Sequence, residues 1–347
     1  MQNQPKVVTL LEEEKMRTTK ILLQALLLAG SITLAGGVCA QAPGSGAKAY
    51  PNKPIRLIVP YAMGGGNDLL ARTLGQKLHA RLGQPWIIDN RVGGGGNIGT
   101  EAVVRAAPDG YALLLNVNAL AMSPALGEPL KYDALKDLMP VAKMVITPFI
   151  LIVNPSVPAA NVQQLVAYSQ SQAGKFFYAS PGTGTPHHLN MEWFKHITGM
   201  EAIHVPYKGA VPSLADAIAG RVQVMLGVAA SAMPHIKSGK LRALATQGRQ
   251  RLSSLNDVPT FKEAGVSNFD FDMWYAIFVP SATPKEIVNL LHVEIMHALE
   301  DQDVRKSLVG MGFEFVPEVS PEAFQSEMAA ETNHWKKFVS EKELKFN

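Results

Sequence analysis

The chain has 347 residues, 47% hydrophobic and 18% charged, with a formal net charge of +3. That supplies apolar material for about two domains and too little charge to suggest a nucleic-acid binder. A single cysteine, Cys39, excludes a disulfide framework, a cysteine zinc cluster and an iron–sulfur centre.

The first element is an address. Lys15, Arg17 and Lys20 precede the apolar run Ile21 to Ala35, and Val38-Cys39-Ala40 follows it. This order predicts a secretory signal peptide over 1–40, cut before Gln41, with 41–49 as a Gly/Ala/Ser-rich tether. The apolar run is shorter than the ~20 residues a membrane span needs. Glu12-Glu13-Glu14 upstream of the basic residues makes Met16 the alternative start. Val38 is too large to precede a lipid-modified cysteine.

Next comes a strand–helix alternation. Ile55 to Val59 reads as a buried strand. A helix follows, with Leu70, Leu74, Leu78 and Leu82 along one face. Trp86 to Asp89 is a second strand, Asn97 to Ala106 a helix and Tyr111 to Asn116 a third strand. The rhythm restarts with a strand at Ile150 to Val153 and a helix at Val162 to Gln172, capped by Asn161. Strands are predicted at Phe176–Ala179, Ile203–Val205, Val222–Leu226, Leu241–Thr246 and Tyr275–Val279. Three helices close the chain: Pro284 to Leu299, Val304 to Met311 and Pro321 to Glu341. The fold class is therefore α/β, with two lobes that are each a doubly wound sheet and a ligand cleft between them. Crossings near 142–152 and 266–278 divide the chain into a discontinuous lobe 1 (50–147 plus 270–347) and lobe 2 (148–269).

Three glycine-bearing loops sit at strand-to-helix junctions. In the first, Tyr61-Ala62-Met63-Gly64-Gly65-Gly66-Asn67-Asp68, bare backbone amides and a helix N-terminus make an anion cradle, with Asn67 or Asp68 able to cap the helix. In the second, Gly94, Gly96 and Gly99 fit G-x-G-x-x-G, but no acidic residue ends the following strand, which argues against a dinucleotide. The third, Ser180-Pro181-Gly182-Thr183-Gly184-Thr185-Pro186-His187-His188, offers free amides and hydroxyl donors. It lacks the leading glycine of a nucleophile elbow, since Tyr178 stands there. His188 and Glu192 share a helix face, yet no further metal ligands lie nearby, so His188 is expected to support the loop. No G-K-[ST] P-loop is present. Asp216 and Asp270 read as ordinary surface acids.

The segment Tyr50 to Tyr61 with Gly64-Gly65-Gly66-Asn67-Asp68 resembles the opening of the Bug family, the solute-binding proteins of tripartite tricarboxylate transporters. The resemblance continues through Asn97-Ile98-Gly99, Ala107 to Tyr111, Val153-Asn154-Pro155, His204 to Gly209, Pro234 to Ala243 and Asp257 to Thr260, and ends at Glu263-Ala264-Gly265. It implies a periplasmic, type II-like two-lobed binding protein, not an enzyme, without cofactor or metal. The implied ligand is a small carboxylate: a di- or tricarboxylate or an aromatic acid. The implied partners are the permease subunits of a tripartite transporter, or a sensor protein, with the chain itself a monomer.

Carried over, the ligand residues are Tyr61, Met63, Gly64, Gly65, Gly66, Asn67 and Asp68 in lobe 1, with Asn118 after the third strand. In lobe 2 they are Ser180, Thr183, Gly184, Thr185, His188 and Gly227. Three positions depart from the family pattern: Asn67 stands for a hydroxyl residue, Asn118 for Ser or Thr, and Gly227 for a polar residue, which leaves more room or apolar character at that corner. The alternative from another class is an exported serine hydrolase using Ser180 with His188. It requires the serine hydroxyl in reach of an imidazole held by an acid.

Overall fold

The computed structural model describes residues 50–341 apart from 128, 249 and 270. The expected signal peptide, tether, Met16, Cys39 and Asp270 lie outside these residues. The described residues from 51 onward cluster as one compact unit.

The opening elements follow the hydrophobic pattern: β1 (Ile55–Val59), α1 (Gly66–Leu82), β2 (Trp86–Asn90), α2 (Asn97–Val104) and β3 (Ala112–Val117). Leu70, Leu74 and Leu78 of α1 are fully buried, each contributing roughly 1.5–3 kcal/mol of burial free energy. Gly83 ends α1 in a left-handed turn, its amide bonded to the His79 carbonyl. β1 pairs in parallel with both β2 and β3.

β4 (Leu138–Val153) is much longer than the predicted Ile150–Val153. Pro140 and Pro148 argue against a strand there, and the structure accommodates the first of them with register shifts between Pro140 and Ala142 and between Lys143 and Val145. After β4 come α3 (Val162–Ser171), β5 (Phe177–Ser180), α4 (Pro186–Thr198), β6 (Ile203–Pro206), α5 (Ala210–Ile218), β7 (Val224–Val228), α6 (Ala229–Lys237) and β8 (Arg242–Thr246). The Asn161 side chain caps α3 by accepting the Gln164 amide, as predicted. β9 (Asp272–Pro280), α7 (Lys285–Glu300), α8 (Gln302–Gly310), β10 (Glu314–Phe315) and α9 (Pro321–Glu341) complete the described chain.

The strands run in the order β2-β1-β3-β9-β4-β7-β5-β6, with β8 and β10 also paired to β4. The first part of β4, Leu138 to Pro148, pairs antiparallel with β9. Its last part, Phe149 to Val153, pairs with β7 and β8. One core gathers Ile58, Leu114, Phe278 and Phe324. A second gathers Ile150, Ile152, Leu214 and Met233 around the last part of β4. β4 thus runs from one core into the other, while β9 contributes Trp274, Ala276 and Phe278 to the first.

Candidate ligand site

The first loop joins β1 to α1. Gly64 takes φ +80, a left-handed turn that glycine adopts without steric cost. The first intrahelical bond of α1 runs from the Leu69 amide to the Gly65 carbonyl, so the amides of Gly66, Asn67 and Asp68 precede the helical ladder. The N-cap is Gly65, and no side chain caps it; the predicted capping by Asn67 or Asp68 does not occur. Asp68 instead reaches back to accept the Gly64 amide at 3.0 Å and Arg72 Nε at 2.9 Å. Burial pushes the Asp68 carboxyl up, but hydrogen bonds from Arg72, Gly64 and Asn90 outweigh it and hold it below the usual carboxylate range. Asn90 donates to the Tyr61 carbonyl at 3.0 Å, which completes a frame behind the loop.

The third loop joins β5 to α4 and is braced in the same way. Thr185 Oγ1 donates to the Gly182 carbonyl at 2.7 Å. His188 Nδ1 accepts the Gly184 amide at 3.1 Å, which puts the ring proton of a neutral imidazole on Nε2. Burial first, then His204 and Lys195, lower the His188 pKa to about 3. His188 stacks on His204 with ring centroids 3.9 Å apart. Ser180 Oγ lies 2.7 Å from His204 Nε2.

The two loops converge on an enclosed cavity of about 30 Å³. Gly65, Gly66 and Asn67 of the α1 N-terminus line one side, and Thr185, Pro186 and His187 of the α4 N-terminus the other. Its floor comes from Val117, Val228, Met273 and Tyr275 at the ends of β3 and β7 and on β9. Tyr275 Oη, His187 Nδ1 and Asn67 Oδ1 are buried without a hydrogen-bond partner. Such groups are costly to leave unpaired. Burial holds His187 neutral, its pKa lowered to about 3, and keeps the Tyr275 phenol protonated, with Tyr61 adding to the effect. A Cβ on Gly66 would stand 2.7 Å from Tyr275 Oη, so only glycine fits there. Two helix N-termini and uncharged donors suit an anion without a formal counter-charge.

A larger groove of about 680 Å³ opens beside this chamber, and Tyr61, Ala62 and Pro181 line both. The first loop also packs against the turn between β6 and α5 and against α5 itself. A Cβ on Gly209, which follows β6, would lie 2.8 Å from Ala62 Cβ, and one on Gly64 would lie 3.3 Å from Val211 Cγ2.

The residues carried over from the family do not stay together. Tyr61, Gly65, Gly66, Asn67 and Thr185 line the chamber, while Thr183 and Gly184 line the groove. Asp68 and His188 lie behind the loops as described, Gly64 is exposed on the first loop, and Met63 projects outward at 64% exposure. Three residues are committed elsewhere. Ser180 is fully buried, bonded to Gly182 and His204. Asn118 accepts the Trp274 amide at 2.9 Å and donates to Glu331 at 2.9 Å, which ties β3 to β9 and α9. The corner at Gly227 is apolar and has little room, because a Cβ there would meet Ile152 Cδ1 at 3.0 Å and Ala232 Cβ at 3.5 Å.

Tyr275 and His187 were missed. The strand carrying Tyr275 was predicted, but nothing marked its hydroxyl as inward-facing. His187 and His188 are adjacent, and only the helical phase of α4 decides which one faces the chamber.

The serine-hydrolase geometry is half met. His204, not His188, reaches Ser180. The nearby Glu192 carboxylate is occupied by Tyr178 Oη and Lys195 Nζ, and the serine hydroxyl is sealed from solvent.

Comparison with known proteins places this geometry in context. Residues 70–344 match the family model described as the tripartite tricarboxylate transporter family receptor. The solved structure of the periplasmic binding protein BugD is 30% identical, with a TM-score of 0.82 over 85% of this chain and 99% of that one. MatC of Rhodopseudomonas palustris with bound malate is 29% identical, with a TM-score of 0.80 over 84% and 100%. A protein of R. palustris with adipate is 32% identical, with a TM-score of 0.81 over 84% and 98%. The α/β fold is that of periplasmic binding proteins, and the chain belongs to the tripartite tricarboxylate transporter receptor family, among the Bug-type solute-binding proteins.

Proposed function

We propose that this protein captures a small carboxylate outside the cytoplasm and delivers it to the membrane subunits of a tripartite transporter. The observation that carries this reading is the chamber: two helix N-termini meet there around two buried groups able to donate, Tyr275 Oη and His187 Nδ1, that have no hydrogen-bond partner among the described residues. A carboxylate entering it accepts from Tyr275 Oη, from His187 and from the amides of Gly66 and Asn67. Malate and adipate in two structural relatives support the ligand class. The signal-like segment over 1–40 supports export to the periplasm.

In this reading residues 50–147 plus 270–347 form one lobe and 148–269 the other, with β4 and β9 as the hinge. The ligand bridges the two loops and stabilises their contact, and a membrane partner reads the closed arrangement. The protein is a receptor without catalytic activity. The chamber residues Tyr61, Gly65, Gly66, Asn67 and Thr185 bind the ligand together with Tyr275 and His187.

A thermal-shift screen of ligand-free protein against a carboxylate panel tests the proposal, since a ligand bound only by the folded state raises the melting temperature. A shift with one or more carboxylates is expected. No shift with any of them would overturn it.

A further inference from the structure

The tetraglycine segment Gly93–Gly96 takes no part in the chamber. It forms one wall of the outer groove, facing Thr183 and the Pro206–Gly209 turn. All four glycines have positive φ, from 57° to 128°. A Cβ on Gly95 would stand 2.9 Å from the Thr183 carbonyl oxygen, and one on Gly96 would stand 3.0 Å from Tyr61 Oη. Glycine therefore lets this wall approach the opposite loop closely. Val92, Ile98, Leu126 and Tyr207 give the groove an apolar wall, with Lys208, Asn97, Ser123 and Thr183 as its polar lining side chains. Val92 and Ile98 are 42% and 56% exposed.

The two spaces differ greatly in size. The chamber, at about 30 Å³, has room for one or two waters, which matches the two oxygens of one carboxylate and not a carbon skeleton. The groove, at about 680 Å³, lies in the range of small-molecule sites.

We propose that the outer groove is a second subsite, and that it receives the apolar body of an acid whose carboxylate occupies the chamber. The preferred ligand is then a carboxylic acid with a bulky, ring-sized apolar tail, not a compact dicarboxylate held entirely within the chamber. This inference rests on the carboxylate reading above and narrows it.

Calorimetry on ligand-free full-length protein tests it with three probes: butyrate, succinate and 4-phenylbutyrate. The first and last share a carboxylate and linker and differ by one ring. Burying that ring is expected to give 4-phenylbutyrate an affinity at least about tenfold above butyrate and succinate. The double variant Val92→Ser/Ile98→Ser changes two exposed groove residues and leaves the chamber intact. It is expected to weaken 4-phenylbutyrate at least about fivefold and to leave butyrate within about twofold. The subsite is overturned, and the carboxylate reading stands, if the short acids bind and the ring adds nothing, or if the double variant weakens all acids by one factor. If no acid binds, both readings fall together.

Discussion

The contact between Ala62 and Gly209 gives the sharpest test of closure. The perturbation is Gly209→Ala. The added Cβ would stand 2.8 Å from Ala62 Cβ, whereas carbon atoms pack comfortably at about 3.5–4.0 Å. The two loops must part by about 1 Å, and overpacking of this kind costs about 1–3 kcal/mol. If ligand binding requires the loops to touch, that cost appears as a 5- to 150-fold rise in Kd.

Gly209 has φ +123, so alanine also strains the backbone, and two further variants separate the causes. Gly248→Ala, at φ +111 with only the Gln250 carbonyl oxygen, at 3.6 Å, near its Cβ among the described residues, places alanine at a similar φ without a clash and is expected to leave affinity unchanged. Ala62→Gly combined with Gly209→Ala removes the clash, because the next contacts are Ala62 N at 3.5 Å and Cα at 3.8 Å. The double variant should recover most of the affinity. The assay is calorimetry with the acid that gives the largest thermal shift. Native affinity in Gly209→Ala, or a double variant as weak as the single one, would refute the reasoning.

Tyr275→Phe removes a buried donor that has no partner in the unliganded protein. Its melting temperature should hold or rise while carboxylate affinity falls about 10- to 150-fold; lost stability with native affinity would assign the hydroxyl to the fold. Asn118→Ala strips partners from the Trp274 amide and from Glu331, so urea denaturation should show about 2–3 kcal/mol of lost stability with affinity within twofold. A selective loss of affinity would return Asn118 to the site. His187 and His188 have folded pKa values lowered to about 3 from 6.5. Between those values the unfolded chain binds more protons, so stability is complete above about pH 6.5 and declines as pH falls toward 3. At pH 5.5 each histidine withdraws on the order of 1 kcal/mol. The buried Glu331 carboxyl, raised by burial, works in the opposite sense, so the readout is the difference in pH slope between native protein and His187→Gln, which should be shallower. Equal slopes would contradict the assignment.

Elements whose burial pattern repeats regularly were readable from composition alone. The continuous apolar run of β1 and the i, i+4 leucines of α1 specify their neighbours by burial, and both lie where predicted. β4 was not readable, because Pro140 and Pro148 mimic strand terminators and pairing with β9 overrides them. The loops were readable as donor-rich turns, but not the direction of each donor. Ser180 has the composition of a ligand residue, and its hydroxyl turns inward to His204. Of the two readings of Gly227, apolar character and not room describes its corner, because the volume beside a glycine belongs to whichever side chain crosses it, here Ile152 from the neighbouring strand. Tyr275 became visible only when β9 was laid against the N-terminus of α1.

The arrangement also explains how a site without a lysine or arginine in its chamber wall can hold an anion beside a carboxylate. Asp68 sits in the first turn of α1, at the helix end where an anionic ligand would bind. Left uncompensated, its charge would oppose the ligand across a low-dielectric gap. Arg72, one turn along, takes that charge at 2.9 Å from a half-exposed position outside the chamber. The remaining field at the helix terminus is then that of the backbone amides, which attract the ligand only at short range. In the proposed reading α1 supplies two of these donors through the Gly66 and Asn67 amides, α4 supplies His187 and β9 supplies Tyr275, so no single loop presents the full set. Affinity is then tied to how closely these segments approach, and the glycines at 64 and 209 limit the approach of the first loop to the turn that opens α5.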